Sequence, residues 1–234
     1  MDTTNLHTEL SDKLISEMSL EHKTPGATRP EPHAELQVTY EKVPLELRGY
    51  SQWICWRYVD RGQGRKPDKQ PVNPRNLANA GVHWANTWTT FEQAYTTYLR
   101  HCRQQVHGVG FVLTPQDPYV AVDLDNCVHE DGIESTAAQI VHELGSYTEI
   151  SPSGHGIRVL LACPGFHDNA RREVIEVYSH SRYVTVTGHH VSGTPASISV
   201  APPDVIAALV PPVPEQASSP HHQASRQEHL SLIF

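Results

Sequence analysis

Two carboxylates stand two residues apart in the run Tyr119-Val-Ala-Val-Asp-Leu-Asp-Asn126. The rest of that run is apolar and β-prone, so it reads as a strand. Alternation then puts Val120, Val122 and Leu124 on one face and Ala121, Asp123 and Asp125 on the other. Two ionised acids this close repel each other, and the arrangement becomes favourable when a divalent cation sits between them. An exposed strand face with solvated acids has the same D-x-D pattern, so a magnesium or manganese site at Asp123 and Asp125 needs support from elsewhere in the chain. Glu176 offers some. It lies in the middle of the apolar strand Glu173-Val-Ile-Glu-Val-Tyr178, where a glutamate needs a partner, and a metal shared with Asp123 and Asp125 is one.

Cations gather in two further stretches. Arg57, Arg61, Arg65, Lys66, Lys69 and Arg75 fall within nineteen residues, around Gly62, Gly64 and three prolines. Such a loop is either a solvated hairpin connection or a phosphate-contacting one, with Lys69 of Lys-Gln-Pro-Val-Asn-Pro74 steadied by the stiff prolines beside it. The second stretch is Thr148-Glu-Ile-Ser-Pro-Ser-Gly-His-Gly-Ile-Arg-Val-Leu-Leu161. Ser151 to Gly156 is a small turn whose amides can approach an anion closely, and Ser153 and His155 lie within it. In the strand that follows, Ile157, Val159 and Leu161 take one face and leave Arg158 on the other; a lone strand arginine is commonly solvated, but straight after a Ser/Gly turn it is also a candidate to grip a triphosphate. Arg182 ends the turn Ser179-His-Ser-Arg182 and joins the nucleotide-binding candidates.

Periodicity supplies the elements that must position these groups. Trp53-Ile-Cys-Trp-Arg-Tyr-Val59 and Gly108-Val-Gly-Phe-Val-Leu113 read as strands, the latter expected to form a hairpin with the acidic strand. Glu173–Tyr178 and Tyr183–Gly188 are expected to form another hairpin. Thr89-Thr-Phe-Glu92 has capping-box form, and Phe91, Ala94, Tyr95, Tyr98, Leu99 and Cys102 recur at helical spacing after it. Ile133, Ala137, Ile140, Val141 and Leu144 mark a second helix, stopped by Gly145. A short helix from Asp204 to Val210 closes a catalytic domain expected over residues 36–210. Residues 1–35 read as an appendage with a short amphipathic helix and a linker, and 211–234 as a disordered tail ending in an apolar peptide.

Composition bounds the function. With 234 residues, 38% of them hydrophobic, the chain can bury one good core. It has no apolar run near a membrane span and no basic-then-apolar leader, so a cytoplasmic protein without a membrane partner is expected. Cys55, Cys102, Cys127 and Cys163 include no C-x-x-C pair, which argues against a zinc module and a disulfide framework. The net charge of −8 is uneven: residues 36–200 hold 14 Lys/Arg and 16 Asp/Glu, a net of −2. Bound cations would make that nearly neutral core locally positive, so the acidic total does not exclude DNA.

Three stretches together resemble the primase-polymerases of phages, plasmids and integrated elements in the archaeo-eukaryotic primase superfamily. They are V-D-L-D at 122–125, S-P-S-G-H-G-I-R-V at 151–159 and I-E-V-Y-S-H-S-R-Y-V-T-V-T-G at 175–188. The resemblance covers about residues 40–200. It implies an α/β (α+β) fold in which an antiparallel or mixed sheet of split β-α-β type carries the acids beside a smaller N-terminal α/β part. It also implies that Asp123, Asp125 and Glu176 are catalytic metal ligands for Mg²⁺ or Mn²⁺. In the family's second motif the basic position after S-G-x-G-x is commonly histidine, and here it is Arg158, which can grip phosphate but cannot shuttle a proton. The implied partners are a DNA template-primer and a dNTP or NTP; many members of the family also have a helicase, but a separate helicase does not follow from this sequence. Two other functions fit the sequence less well: a catalytically inactive single-strand or nucleotide binder, against which the three acids argue, and an initiator that nicks DNA through a tyrosine such as Tyr178 with a metal on a His-x-His pair, for which the chain offers only the adjacent His189 and His190, pointed to opposite faces by a strand. Finally, His229-Leu-Ser-Leu-Ile-Phe234 resembles the Q-L-x-L-x-F peptide by which bacterial polymerases hold the sliding clamp. A strand docking on its own domain, or a remnant of a lost second domain, would have the same composition.

Overall fold

The computed structural model describes residues 37–62, 65–102 and 104–210. The helix expected within 1–35 and the peptide His229–Phe234 lie outside the described residues. A short helix, Leu45–Arg48 (α1), precedes the hairpin of Trp53–Val59 (β1) and Asp68–Val72 (β2). Lys69 therefore sits in a strand, opposite Tyr58, where the sequence suggested a loop. Pro71 is tolerated there because β2 is the edge strand of its sheet, met on its outer side only by a bridge from Asn79 to Val72 and by the Ala80 N–H, which donates to the Pro71 carbonyl at 3.0 Å.

The helix Phe91–His101 (α2) is capped by Thr90, whose side chain accepts from the Gln93 N–H at 3.4 Å. Its start falls one residue later than the Thr89 capping box suggests. Thr89 is occupied elsewhere, exchanging both backbone hydrogen bonds with Trp53 at 2.8 and 3.0 Å. Gly108–Leu113 (β3) and Tyr119–Leu124 (β4) follow, then the small pair Val128–His129 (β5) and Gly132–Ile133 (β6). Ile133, expected to open the second helix, thus belongs to β6. The helix Ser135–Leu144 (α3) ends at Gly145, which takes the left-handed φ of +50° that glycine tolerates best. The remaining elements are Thr148–Ile150 (β7), Ile157–Ala162 (β8), Ala170–Arg172 (β9), Ile175–Tyr178 (β10), Arg182–Val186 (β11), Ser199–Val200 (β12) and Pro203–Leu209 (α4).

These strands make two main sheets. The first has the order β11-β3-β1-β2, and the second β12-β8-β4-β10-β9 with β7 also paired to β8. Within both, every pairing is antiparallel except β12 with β8. The architecture is mixed α/β with antiparallel sheets, which is compatible with a primase-type fold. Both expected hairpins fail. β3 pairs with β11 in the first sheet, and β4 pairs with β10 in the second, so each short turn carries the chain from one sheet to the other. All six residues of β3 are buried, as are five of six in β4, and each strand lies between two others, β3 between β11 and β1 and β4 between β10 and β8. Asp117 holds the first crossing turn by accepting from the Thr114 N–H and hydroxyl and from the Gln52 amide, each at 2.8 Å.

Two main apolar cores result, with a smaller cluster of Ile54, Ala80 and Val112 beside them. Trp53, Phe91, Phe111 and Val184 pack with Tyr119, Ala121 and Leu160 from the front of the second sheet. Behind that sheet, Val120, Val122, Leu124, Val159 and Val177 pack against Val141 of α3 and Ile206 of α4. The alternation expected along the acidic strand therefore holds. The front face is apolar at Tyr119 and Ala121 and turns polar one step later, at Asp123.

Candidate active site

Five strands of the second sheet each place one charged residue in a single transverse row. Glu149 of β7 lies opposite Arg158 of β8, Arg158 opposite Asp123 of β4, Asp123 opposite Glu176 of β10, and Glu176 opposite Arg171 of β9. Directly opposed residues point to the same face, so the row is one surface feature with the signs −, +, −, −, +. Its centre holds two carboxylates side by side. Asp125 lies just beyond β4, and its N–H is held by the Val174 carbonyl at 2.9 Å.

Each centre acid is matched by an arginine. Arg158 grips Asp123 through Nε and NH2, both at 2.6 Å, and its NH1 reaches the Thr185 hydroxyl at 2.6 Å and the Thr185 carbonyl of the first sheet. Burial works against the Arg158 charge, but Asp123 and then Glu149 outweigh it and raise its pKa further. Glu176 receives NH1 of Arg171 at 2.9 Å and the hydroxyl of Tyr178. Burial, reinforced by that bond and by the Glu176 charge, raises the Tyr178 phenol. Glu149 is fully buried and accepts from Tyr147 Oη at 2.9 Å and from the Thr187 and Gly188 N–H groups at 3.0 and 2.9 Å. Burial still raises its carboxyl above the usual range, against the opposing pull of Arg158 and those donors.

The first sheet contributes Lys69. Its ammonium stands 5.6 Å from the centre of the Trp56 ring, and burial, then Arg158 and Lys66, lower its pKa to about 8, with Asp123 and Asp125 pulling it partly back. Lys69, Arg158, Asp123 and Asp125 thus share one electrostatic neighbourhood across the two sheets. Three other cations of the basic stretch are engaged elsewhere: Arg57 bonds Gln70 and Asn79, Arg61 pairs with Asp68, and Arg75 reaches the Asn86 carbonyl. The Ser151–Gly156 turn abuts the acidic strand, because a Cβ on Gly156 would stand 2.9 Å from the Leu124 carbonyl and 3.7 Å from Asp125 Cα. Ser153 and His155 are exposed on that turn, where Ser153 Oγ lies 3.1 Å from Ser151 Oγ. Arg182 lies farther along, its guanidinium 5.2 Å from the centre of the Tyr178 ring.

Carboxylate oxygens on one face are the right donors for a hard divalent cation, so the residues fit Mg²⁺ or Mn²⁺ chemically. Among the described residues no three His, Cys, Asp or Glu side chains are gathered into a ready-made metal site. Asp123 is turned to Arg158 and Glu176 to Arg171 and Tyr178, so cation binding would replace or share those contacts. His189 and His190 diverge: the first faces the Gln37 carbonyl, and the second faces Pro195 O and Thr194 Oγ1, each at 3.0 Å. The pairing expected of a nicking initiator is not formed. Sequence reading missed Glu149, Arg171, Tyr178 as a Glu176 partner, and Thr185. The one available signal was Glu149, an acid inside a short β-prone run two strands from Asp123.

The proteins this chain resembles in sequence are the primase-polymerases, the class its three motifs suggest. In particular, it is 33% identical over 155 residues to the DNA primase-polymerase of Nitratiruptor phage NrS-1, a match covering 63% of this chain and 20% of that relative. The match thus spans about a fifth of the relative's length. No family model matches the chain.

Proposed function

We propose that this chain catalyses template-directed nucleotidyl transfer, as a DNA primase or polymerase in the replication of a mobile element. The observation that carries the reading is the adjacent pair Asp123 and Glu176 at the centre of the charged row, with Asp125 next to it and Lys69 facing it from the first sheet. A purely phosphate-binding protein gains nothing from paired carboxylates. Asp123, Asp125 and Glu176 would hold Mg²⁺ or Mn²⁺, which when bound would activate the primer 3′-hydroxyl and neutralise the leaving pyrophosphate. Arg158 fixes the orientation of Asp123 and offers charge to the triphosphate on exchange of one of its contacts. Lys69 supplies a second cation for the phosphates, and the Ser151–Gly156 turn presents Ser153, His155 and backbone amides to them. Arg182 flanks the incoming nucleotide from the Tyr178 side. In the same reading, His229–Phe234 tethers the enzyme to a sliding clamp and a separate helicase opens the duplex. The test is primer extension with dNTPs and with NTPs, in Mg²⁺ or Mn²⁺. Incorporation that stops with chelator and with Asp125→Ala supports the proposal, and incorporation insensitive to both refutes it.

A further inference from the structure

A cleft of about 390 Å³ opens on the first sheet beside this site, lined by Trp84 and Tyr183, with Val82 and Pro71 at its apolar wall and His83 and Arg182 at its rim. Among the described residues no carboxylate lines it. Trp84 is 59% exposed, whereas Trp53 and Trp56 are buried. A large exposed aromatic normally costs side-chain entropy when it binds something, but the backbone under this one is already fixed. The Trp84 N–H bonds Gly81 O at 3.1 Å, and its carbonyl accepts from the Thr87 N–H and hydroxyl at 2.8 and 2.6 Å. Trp88 Nε1 closes the same loop on Gly81 O at 2.7 Å. The Trp84 ring lies against Gly81, where a Cβ would come within 2.8 Å of it, so glycine is what lets the ring rest there. Across the cleft, the Tyr183 ring occupies the space left by Gly110, and its hydroxyl donates to the Lys69 carbonyl.

We propose that this cleft, with Trp84 as its platform, holds an unpaired base of the single-stranded template. A preset aromatic face, the lack of acids and a rim where Arg182, placed between this cleft and the nucleotide, can meet the strand's phosphates are the features by which proteins stack single strands without reading sequence. The cleft also lies along the path to the charged row. Tyr183 connects it to the strand carrying Lys69, and Arg182 connects it to Tyr178, the partner of Glu176. This placement deepens the nucleotidyl-transfer reading and rests on it for the strand's role as template. A free nucleotide offers the same base and phosphate chemistry, so the test separates the two.

The experiment follows the anisotropy of a short fluorescein-labelled oligothymidylate, with dTTP binding and primer extension measured on the same full-length proteins. Trp84→Leu should weaken oligothymidylate binding by roughly 5-fold or more, the loss of one stacked base. Trp84→Phe should stay within about twofold of wild type, because a phenyl face still stacks. Neither variant should change dTTP affinity. Unchanged oligothymidylate affinity in Trp84→Leu overturns the cleft assignment, even if extension shows that the polymerase reading stands. Loss of dTTP rather than oligothymidylate binding overturns it in favour of a nucleotide pocket. Trp84-dependent strand binding without any extension keeps the cleft and refutes the polymerase reading instead. Thermal unfolding checks that Trp84→Leu is folded, and the Phe variant separates stacking from general damage.

Discussion

Replacing Arg158 with methionine tests whether the row is held together by charge. The substitution keeps an apolar stem of similar length and removes the guanidinium. It breaks a two-point contact with Asp123, both bonds at 2.6 Å, and the contacts to the Thr185 hydroxyl and carbonyl that tie the second sheet to the first. The Asp123 side chain is 17% exposed and that of Arg158 8%, so little water can replace the lost partner. Removing one member of a buried pair costs about 3–5 kcal/mol, and the residual exposure of Asp123 places this case near the lower end. A domain of this kind has about 5–15 kcal/mol in total, so the variant should still fold. Urea unfolding at neutral pH should show a loss of about 3 kcal/mol. Asp123→Asn in the Arg158→Met background should then cost much less than it does in wild type, because the uncompensated charge is gone. A loss under about 1 kcal/mol for Arg158→Met, or simple additivity of the two changes, would refute the strut role.

Lys69→Arg should flatten the pH dependence of nucleotide binding. With a pKa of about 8 the wild-type ammonium loses its proton above that pH, so the nucleotide KM should rise between pH 7 and 9, while the arginine variant stays level. Gly156→Ala should destabilise by about 1–3 kcal/mol and impair extension, since its Cβ would press on the Leu124 carbonyl beside Asp125; unchanged stability and activity would contradict that packing. Glu149→Gln should cost about 1–3 kcal/mol, because three donors converge on the carboxylate and an amide can satisfy only part of them. The sign of its pH effect is also fixed. A carboxyl with a raised folded pKa contributes stability below its unfolded pKa and loses it as pH rises through the folded value, so wild type should lose stability relative to Glu149→Gln over that window in urea titrations.

The sequence carried the strands and the faces of the site better than their neighbours. Alternation along Val120–Asp125 placed the acids on one face, and the strand limits Trp53–Val59 agree with the fold. Pairing was not legible, because a short turn between two apolar runs looks the same whether the chain doubles back or crosses to another sheet. The direction of Arg158 was also hidden. A strand pattern gives its face, but only the register Glu149–Arg158–Asp123 shows that two acids flank it and turn it inward. Arg171 lies in a short edge strand of low apolar content, with nothing in its local pattern to connect it with Glu176.

In the proposed reaction the paired acids bind a cation for nucleotidyl transfer. Calorimetric titration of Mn²⁺ in the presence of a non-hydrolysable dNTP, on wild type, Asp125→Asn and Glu176→Gln, tests it most directly when paired with primer extension on the same preparations. Mn²⁺ binding and extension are expected in wild type and the loss of both in each variant, with thermal stability retained. Mn²⁺ affinity and extension unchanged in Glu176→Gln would contradict it.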